Sequence, residues 1–324
     1  MTDNLNNFDD ELDALVDAAR QDEWNEIQEQ MEEGTYEPTS LVPEGWHEVS
    51  SSYEPCKIRI SRESYDAIMF NEEPCPACHG TGRIQITEQW EETDRYHVIN
   101  KSCPVDFRMK SKLGIIKKLL PSRYYRSNIG TLKPSPNSKM DMQRQATVIQ
   151  HLWNNSTRSF LFYGDPGTGK TTFATALVRH ALERDWEGHI HTGCGNFNTV
   201  SWIQYLNWDT YIQSLLDWQN HPDTAEEPSV TPTLIHNNAA KGRTTCLVIE
   251  EIDKSRLTEF KANKLFELVC AMDATESQLI ITTNYATKEE FQSWLCQGDT
   301  RIVGEAIWRR LSDNCKFVSC PKAK

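Results

Sequence analysis

Short unbroken apolar runs and longer three-to-four-residue periods alternate along the C-terminal two-thirds of this chain. Ser159-Phe160-Leu161-Phe162-Tyr163, Thr245-Cys246-Leu247-Val248-Ile249 and Leu279-Ile280-Ile281-Thr282-Thr283 have the length and composition of strands buried on both faces. Behind the first run, Thr172 to Leu182 places Phe173, Ala174, Leu177, Val178, Ala181 and Leu182 on one helical face. Gly304 to Leu311 makes a short helix. Strands spaced by helical segments predict an α/β fold with a parallel sheet flanked by helices.

The N-terminal third has other rhythms. Residues 8 to 31 bring Phe8, Leu12, Leu15, Val16, Ala19, Trp24, Ile27 and Met31 close to one stripe. Asn6 or Asn7 can cap this helix, and Asp9, Asp10 and Glu11 suit its positive end. Such a helix either binds a partner or folds back on its own body. Gly34 to Glu54, with Pro38, Pro43 and Gly45, reads as a linker. Arg83–Thr87 and Arg95–Asn100 predict a hairpin. The breaks divide the chain into residues 1–54, 55–105, 106–144 and 145–324.

Charge sharpens that division. The chain of 324 residues has a net charge of -13, but residues 1–50 hold 15 of its acidic side chains against Arg20 alone. The remainder is near neutral. Residues 106–144 are basic, with ten Lys and Arg against Asp106 and Asp141. Lys110, Lys112, Lys117 and Lys118 there flank Leu113, Ile115, Ile116, Leu119 and Leu120, so this neck either meets phosphates or is a solvated connecting face. No apolar run reaches the 18 residues of a membrane span, and the acidic start carries no secretory signal. Ten cysteines then point to a reducing, cytoplasmic setting, with metal binding or buried thiols rather than disulfides.

The most specific chemistry is Gly164-Asp165-Pro166-Gly167-Thr168-Gly169-Lys170-Thr171-Thr172, which contains the phosphate-binding pattern G-x-x-x-x-G-K-[ST] between a strand and a helix. The glycines let backbone N–H groups turn toward a triphosphate, Lys170 brings a point charge to the outer phosphates, and Thr171 offers a hydroxyl to Mg²⁺. Glu250 and Glu251 end the second apolar run. There one carboxylate, Glu250, can hold the Mg²⁺ shell, and the next, Glu251, can polarise the attacking water. Asn284 ends the third run and is placed to help position that water. Arg310, with Arg309 second, is the residue to reach a neighbouring subunit's nucleotide. ATP and Mg²⁺ are thus the expected ligands, and ATP hydrolysis the expected reaction.

A second site lies upstream. Cys75-Pro76-Ala77-Cys78-His79-Gly80-Thr81-Gly82 has the spacing and glycines of a zinc knuckle, and Cys103 returns after the hairpin. A closed tetrahedral zinc site needs a fourth ligand. Cys56 would complete an all-cysteine set, with His97 and His79 as alternatives. About fifty residues scarcely build a core without such a staple.

Taken together, residues 110–320 resemble the AAA+ ATPases, and within them the DnaC/DnaI-type helicase loaders and the IstB-like ATPases of transposition. The likeness rests on Leu113-Gly114-Ile115, Arg123-Tyr124, GDPGTGKTTFATAL, LVIEEID, IITTN and Arg310-Leu311. It implies a P-loop AAA+ core without a C-terminal lid, since 13 residues follow Leu311. It implies a preceding zinc-binding module and an acidic N-terminal helix that grips a partner. It also implies a homo-oligomer through the ATPase interface, single-stranded DNA, and delivery of a replicative DNA helicase to DNA. The alternatives are a transposition ATPase that selects target DNA and a nucleotide-gated switch with little turnover. In the family the strand and helix after the P-loop helix face single-stranded DNA, and here the resemblance puts them at Trp202 to Tyr205 and Leu206 to Leu216. Trp202, Tyr205, Trp208, Tyr211 and Trp218 would here either stack bases or form core. Glu250 stands where the family usually has Asp, one methylene longer.

Overall fold

The structure, a computed structural model, describes residues 57–59, 61–89, 96–183, 189–191, 202–243 and 245–323. The amphipathic pattern at 8–31, the linker at 34–54 and Cys56 lie outside the described residues. In chain order the elements begin with β1 (Lys57–Arg59), α1 (Arg62–Met69), β2 (Arg83–Gln89), β3 (Tyr96–Ser102) and α2 (Pro104–Leu119). They continue with α3 (Met142–Asn154), β4 (Ser159–Tyr163), α4 (Lys170–Leu182), β5 (His189–His191), β6 (Trp202–Asn207) and α5 (Trp208–Asn220). The last are α6 (Pro232–Ala240), β7 (Thr245–Glu250), α7 (Glu259–Ala274), β8 (Gln278–Thr282), α8 (Lys288–Leu295), α9 (Arg301–Asn314) and β9 (Cys315–Ser319).

The described residues divide into two units, one with Arg83–Ser102 and the other within Pro55–Gly82 and Cys103–Lys324. In the first unit the described residues make the expected hairpin, with β2 and β3 antiparallel and Ile86 opposite Ile99. In the second, β1 pairs antiparallel with β5. Its centre is a five-stranded sheet in the order β6-β7-β8-β4-β9, parallel throughout. Parallel strands joined by crossover helices are covered on both faces, which is why β7 and β8 are apolar without alternation. Cys246, Leu247, Val248 and Ile249, like Ile280 and Ile281, are fully buried.

The two faces pack differently. Phe160 and Phe162 stack on one side, and Phe162 meets Phe173 of α4. Leu161, Leu247, Ile249, Leu279 and Ile281 join a core with α5, α6, α7, α8 and α9 on the other. Trp208 and Tyr211 belong to that core, and Tyr211 donates its hydroxyl to the carbonyl of Val230 at 3.0 Å. These two aromatics are therefore packing residues. Trp202 is half-buried against the same cluster. The helix that the sequence reading begins at Gly304 in fact begins at Arg301. Gly304 lies inside it because α9 crosses the end of α8 so closely that a Cβ there would stand 1.9 Å from the Leu295 carbonyl oxygen.

Candidate functional site

Every strand of the central sheet points its C-terminal end to one edge, and the residues of interest gather there. The P-loop leaves β4 at Gly164, whose φ of 134° no side chain favours. A Cβ on Gly164 would stand 2.2 Å from the Cys320 carbonyl oxygen, so β9 and the P-loop can touch only through glycine. Gly167 and Gly169 also have positive φ, 85° and 98°. Gly169 starts α4 and no side chain caps it, so the first N–H groups of the helix and its positive dipole end face the loop's interior. That is the construction of an anion site.

Lys170 is buried, and its Nζ donates to the carbonyls of Gly164 at 2.7 Å and Asp165 at 2.8 Å. Burial holds its ammonium below the ordinary lysine range, against the opposing pull of the carboxylates of Asp253, Asp165 and Glu251. A charge kept at that cost suits a loop that receives phosphate. Thr168 is buried and donates its hydroxyl to the Asp165 carbonyl, while Pro166 and Gly167 form the exposed crest. Thr172 is half-buried at the start of α4. Two segments brace the loop from outside. The Lys139 N–H donates to the Gly167 carbonyl, and the Lys322 N–H donates to the Asp165 carboxylate at 3.1 Å.

Thr171 Oγ1 donates to Glu250 Oε1 at 2.8 Å. A P-loop hydroxyl and a strand-end carboxylate facing each other form the oxygen donor set that suits Mg²⁺. Glu251, the next residue, turns away from the strand direction with φ of 48°, a left-handed conformation that a glutamate adopts at a cost of order 1 kcal/mol. Thr282 holds it there, accepting the Glu251 N–H on its hydroxyl at 2.9 Å and the Ile252 N–H on its carbonyl. The bend frees the Glu251 carboxylate, which is half-exposed and paired with Lys254 at 3.3 Å. Asn284 is fixed by its backbone, since its N–H donates to both oxygens of Asp253 at 3.0–3.1 Å. The structure thus brings Gly164–Thr172, Glu250, Glu251 and Asn284 to one sheet edge.

Arg310 lies elsewhere. It stands on α9 over the ring of Phe266 and 3.9 Å from the Asp273 carboxylate, on a cavity of about 520 Å³ lined by Ser159, Leu279 and Cys315. Ser159 and Cys315 begin β4 and β9, and Leu279 is the second residue of β8, so Arg310 sits at the N-terminal edge of the sheet. The five residues of β4 put about 16 Å between that edge and the P-loop. Arg310 does not serve its own P-loop. Arg309 is exposed on the same helix.

Cys75, Cys78 and Cys103 come together, all buried, with their sulfurs within 4.8 Å of one another and Cys75 Sγ 3.8 Å from Cys103 Sγ. Four thiolates around zinc at about 2.3 Å stand roughly 3.8 Å apart, so this spacing fits the metal. The turn His79-Gly80-Thr81-Gly82 that closes the knuckle has positive φ at His79, Gly80 and Gly82. Contact with the Cys103 thiol, then the N–H groups of Ala77 and Cys78, hold the Cys75 thiol down to about 6 despite burial. The same contact and burial push Cys103 up. Of the fourth-ligand candidates, His79 is exposed. We expect the purified protein to carry one zinc per chain by elemental analysis. Cys78→Ser should lose it together with several degrees of melting temperature, since structural zinc contributes on the order of 10 kcal/mol of binding free energy. A full-length protein without metal would remove the zinc assignment.

Sequence reasoning missed three groups. Asp253 locks Asn284 to the end of β7, and nothing in LVIEEID marks its partner on β8. Cys320 backs Gly164 from β9, donating its N–H to the Tyr163 carbonyl at 2.8 Å. Arg179, fully buried near the C-terminal end of the P-loop helix, binds Glu183 at 3.0 Å and Asp66 of α1. Arg62 of α1 also pairs with Glu183. This network ties the helix ahead of the cysteine cluster to α4, and an unpaired charge in it would be costly.

Residues 160–296 match the model of the ATPase family associated with various cellular activities (AAA). No curated protein matches the chain. Among solved structures, the chain is similar to the DnaC helicase loader at 16% identity and TM-score 0.43, over 63% of this chain and 100% of that one. It is similar to DnaI at 9% identity and TM-score 0.42, over 63% of this chain and 95% of that one. With DnaA from Aquifex aeolicus bound to AMPPCP the figures are 14% and 0.39, over 62% of this chain and 51% of that one. Residues 160–296 therefore form an ATPase domain of the AAA type, built on the parallel five-stranded sheet and its P-loop.

Proposed function

We propose that this AAA ATPase is a loader that delivers a replicative DNA helicase to DNA. What supports the reading most is the arrangement within one chain. The motifs GDPGTGKTTFATAL, LVIEEID and IITTN lie within the AAA match, Leu113-Gly114-Ile115 and Arg310-Leu311 flank it, and a three-cysteine knuckle precedes them all. The knuckle's neighbouring helix, α1, is joined to the far end of the P-loop helix by Arg179, Asp66 and Glu183. Nucleotide at one end of α4 can therefore be sensed by the module that precedes the core.

In this reading Lys170 leaves the loop carbonyls for the outer phosphates of ATP, and the free N–H groups of α4 take the remaining oxygens. Thr171 and Glu250 would hold Mg²⁺, which when bound would neutralise charge on the phosphates. Glu251 orients the attacking water and draws off its proton, and Asn284 fixes that water from the end of β8. Arg310 completes the site of a neighbouring copy. Consistent with such a contact, α9 leaves Ile302 exposed at 82%. The acidic residues 1–54 grip the helicase, and the basic neck and its exposed Lys117 and Lys118 meet single-stranded DNA. Cys56 completes the zinc set. Among the described residues no helix is long and apolar enough to cross a membrane.

The test uses Glu251→Gln, which keeps the fold and the ATP site and removes the base. The full chain carrying it is expected to retain a hexameric replicative helicase from a lysate of its own host in ATP, and to bind single-stranded DNA. Wild-type protein in ADP should release both. Retention of a transposase and preference for duplex DNA would replace this reading with target selection in transposition.

A further inference from the structure

The phenol of Tyr205 is the orphan of the nucleotide site. Its hydroxyl oxygen is buried without a hydrogen-bond partner. Buried polar atoms are nearly always paired, so one left open beside a ligand site calls for an explanation. The register shows what it faces. Tyr205 of β6 lies opposite Val248 and Asn207 opposite Glu250, so Tyr205 and Glu250 are diagonal neighbours on one face of adjacent parallel strands. An aromatic side chain reaches that far. Tyr205 shares its face of the sheet with Val248 and Glu250, opposite the apolar cluster that takes Trp208 and Tyr211.

Glu250 has a corresponding need. Oε1 accepts from Thr171, and no hydrogen bond to Oε2 is present among the described residues. A glutamate has one more rotatable bond than an aspartate, and at a metal site a loose carboxylate weakens binding. Partners that orient a ligand carboxylate are worth about 10–100-fold in metal affinity. We infer that Tyr205 is a positioning residue for Glu250. Its O–H donates to the carboxylate and keeps the other oxygen turned to Thr171 and Mg²⁺. The pairing compensates for the longer side chain, and it predicts that tyrosine and glutamate act as a unit. The inference rests on the assignment of Glu250 to Mg²⁺.

The experiment measures the affinity of the full-length protein for a fluorescent ATP analogue while Mg²⁺ is titrated, with no turnover in the readout. Tyr205→Phe keeps the ring and removes only the hydroxyl. It is expected to raise the Mg²⁺ concentration at half-effect about tenfold and to leave affinity in EDTA unchanged. In Glu250→Asp, whose shorter side chain leaves the phenol behind, the same Tyr205→Phe change should have no further effect. A Tyr205→Phe protein that loses affinity equally with and without Mg²⁺ would reduce the residue to packing and overturn the inference. So would an unchanged titration while Glu250→Ala abolishes the Mg²⁺ effect. If Glu250→Ala also leaves the Mg²⁺ effect intact, the metal assignment itself falls, and the inference with it.

Discussion

Lys170→Ala is expected to lower ATP hydrolysis about 10²- to 10³-fold and to abolish the rise in melting temperature that Mg²⁺ and ATP produce. The size follows from where Lys170 sits. It is the buried cation of the P-loop, and its two hydrogen bonds go to loop carbonyls that a phosphate can replace as partners. Removing it deletes the charge that ligand phosphates would meet, while the loop stays held by Lys139, Lys322 and Cys320. Differential scanning fluorimetry with and without nucleotide separates the two effects. The ligand-free melting temperature should move little, and the ligand-induced shift should vanish. A mutant that still shifts by the wild-type amount would show that the anion binds elsewhere.

Arg310→Ala is expected to cost 10³-fold or more in ATP turnover of the assembled protein, the range typical of an arginine supplied to a phosphoryl-transfer site. Nucleotide affinity should be nearly unchanged. The cause is positional, since about 16 Å of sheet separates Arg310 from its own P-loop. Mixing provides the decisive control. Arg310→Ala subunits keep a complete cis site, and Glu251→Gln subunits keep the arginine. Neither turns over alone, and their mixture should recover a measurable fraction of wild-type activity. A mixture as inactive as its parts would confine Arg310 to its ion pair with Asp273 and its place over Phe266.

Which parts of the site were readable along the chain follows the range of the interactions. The P-loop was, because its function lies in consecutive residues whose backbone freedom is itself a residue property: glycines at Gly164, Gly167 and Gly169, then a lysine, then a hydroxyl. Glu250, Glu251 and Asn284 were readable at one remove, as polar residues at the ends of buried strands. The cysteine knuckle was readable because Cys75 and Cys78 share one turn. The aromatics at 202–218 were not. The helical period is the same for a base-stacking face and for core, and only packing against Ile249, Leu265 and Ile281 assigns Trp208 and Tyr211 to the interior. The helix expected from Gly304 begins three residues earlier, and Gly304 is there because the backbone of α8 passes against it.

The chain order alone therefore marked a strand, loop and helix of the P-loop pattern, two carboxylates at the end of another strand, and a cluster of cysteines. Each is local, set by the residue types in one turn or one strand end. The strand order β6-β7-β8-β4-β9 was decided only by folding, because it depends on pairings between residues more than a hundred positions apart, such as Phe160 with Ile280 and Ser159 with Cys315. That order sets β7 beside β8 and β8 beside β4, so that Thr282 bends Glu251, Asp253 fixes Asn284, and Cys320 closes on Gly164. It also sends Arg310 to the far edge and sets Tyr205 diagonal to Glu250. None of these has a pattern along the sequence, since a side chain's partner across a parallel sheet is fixed by register and crossover and not by its neighbours in the chain.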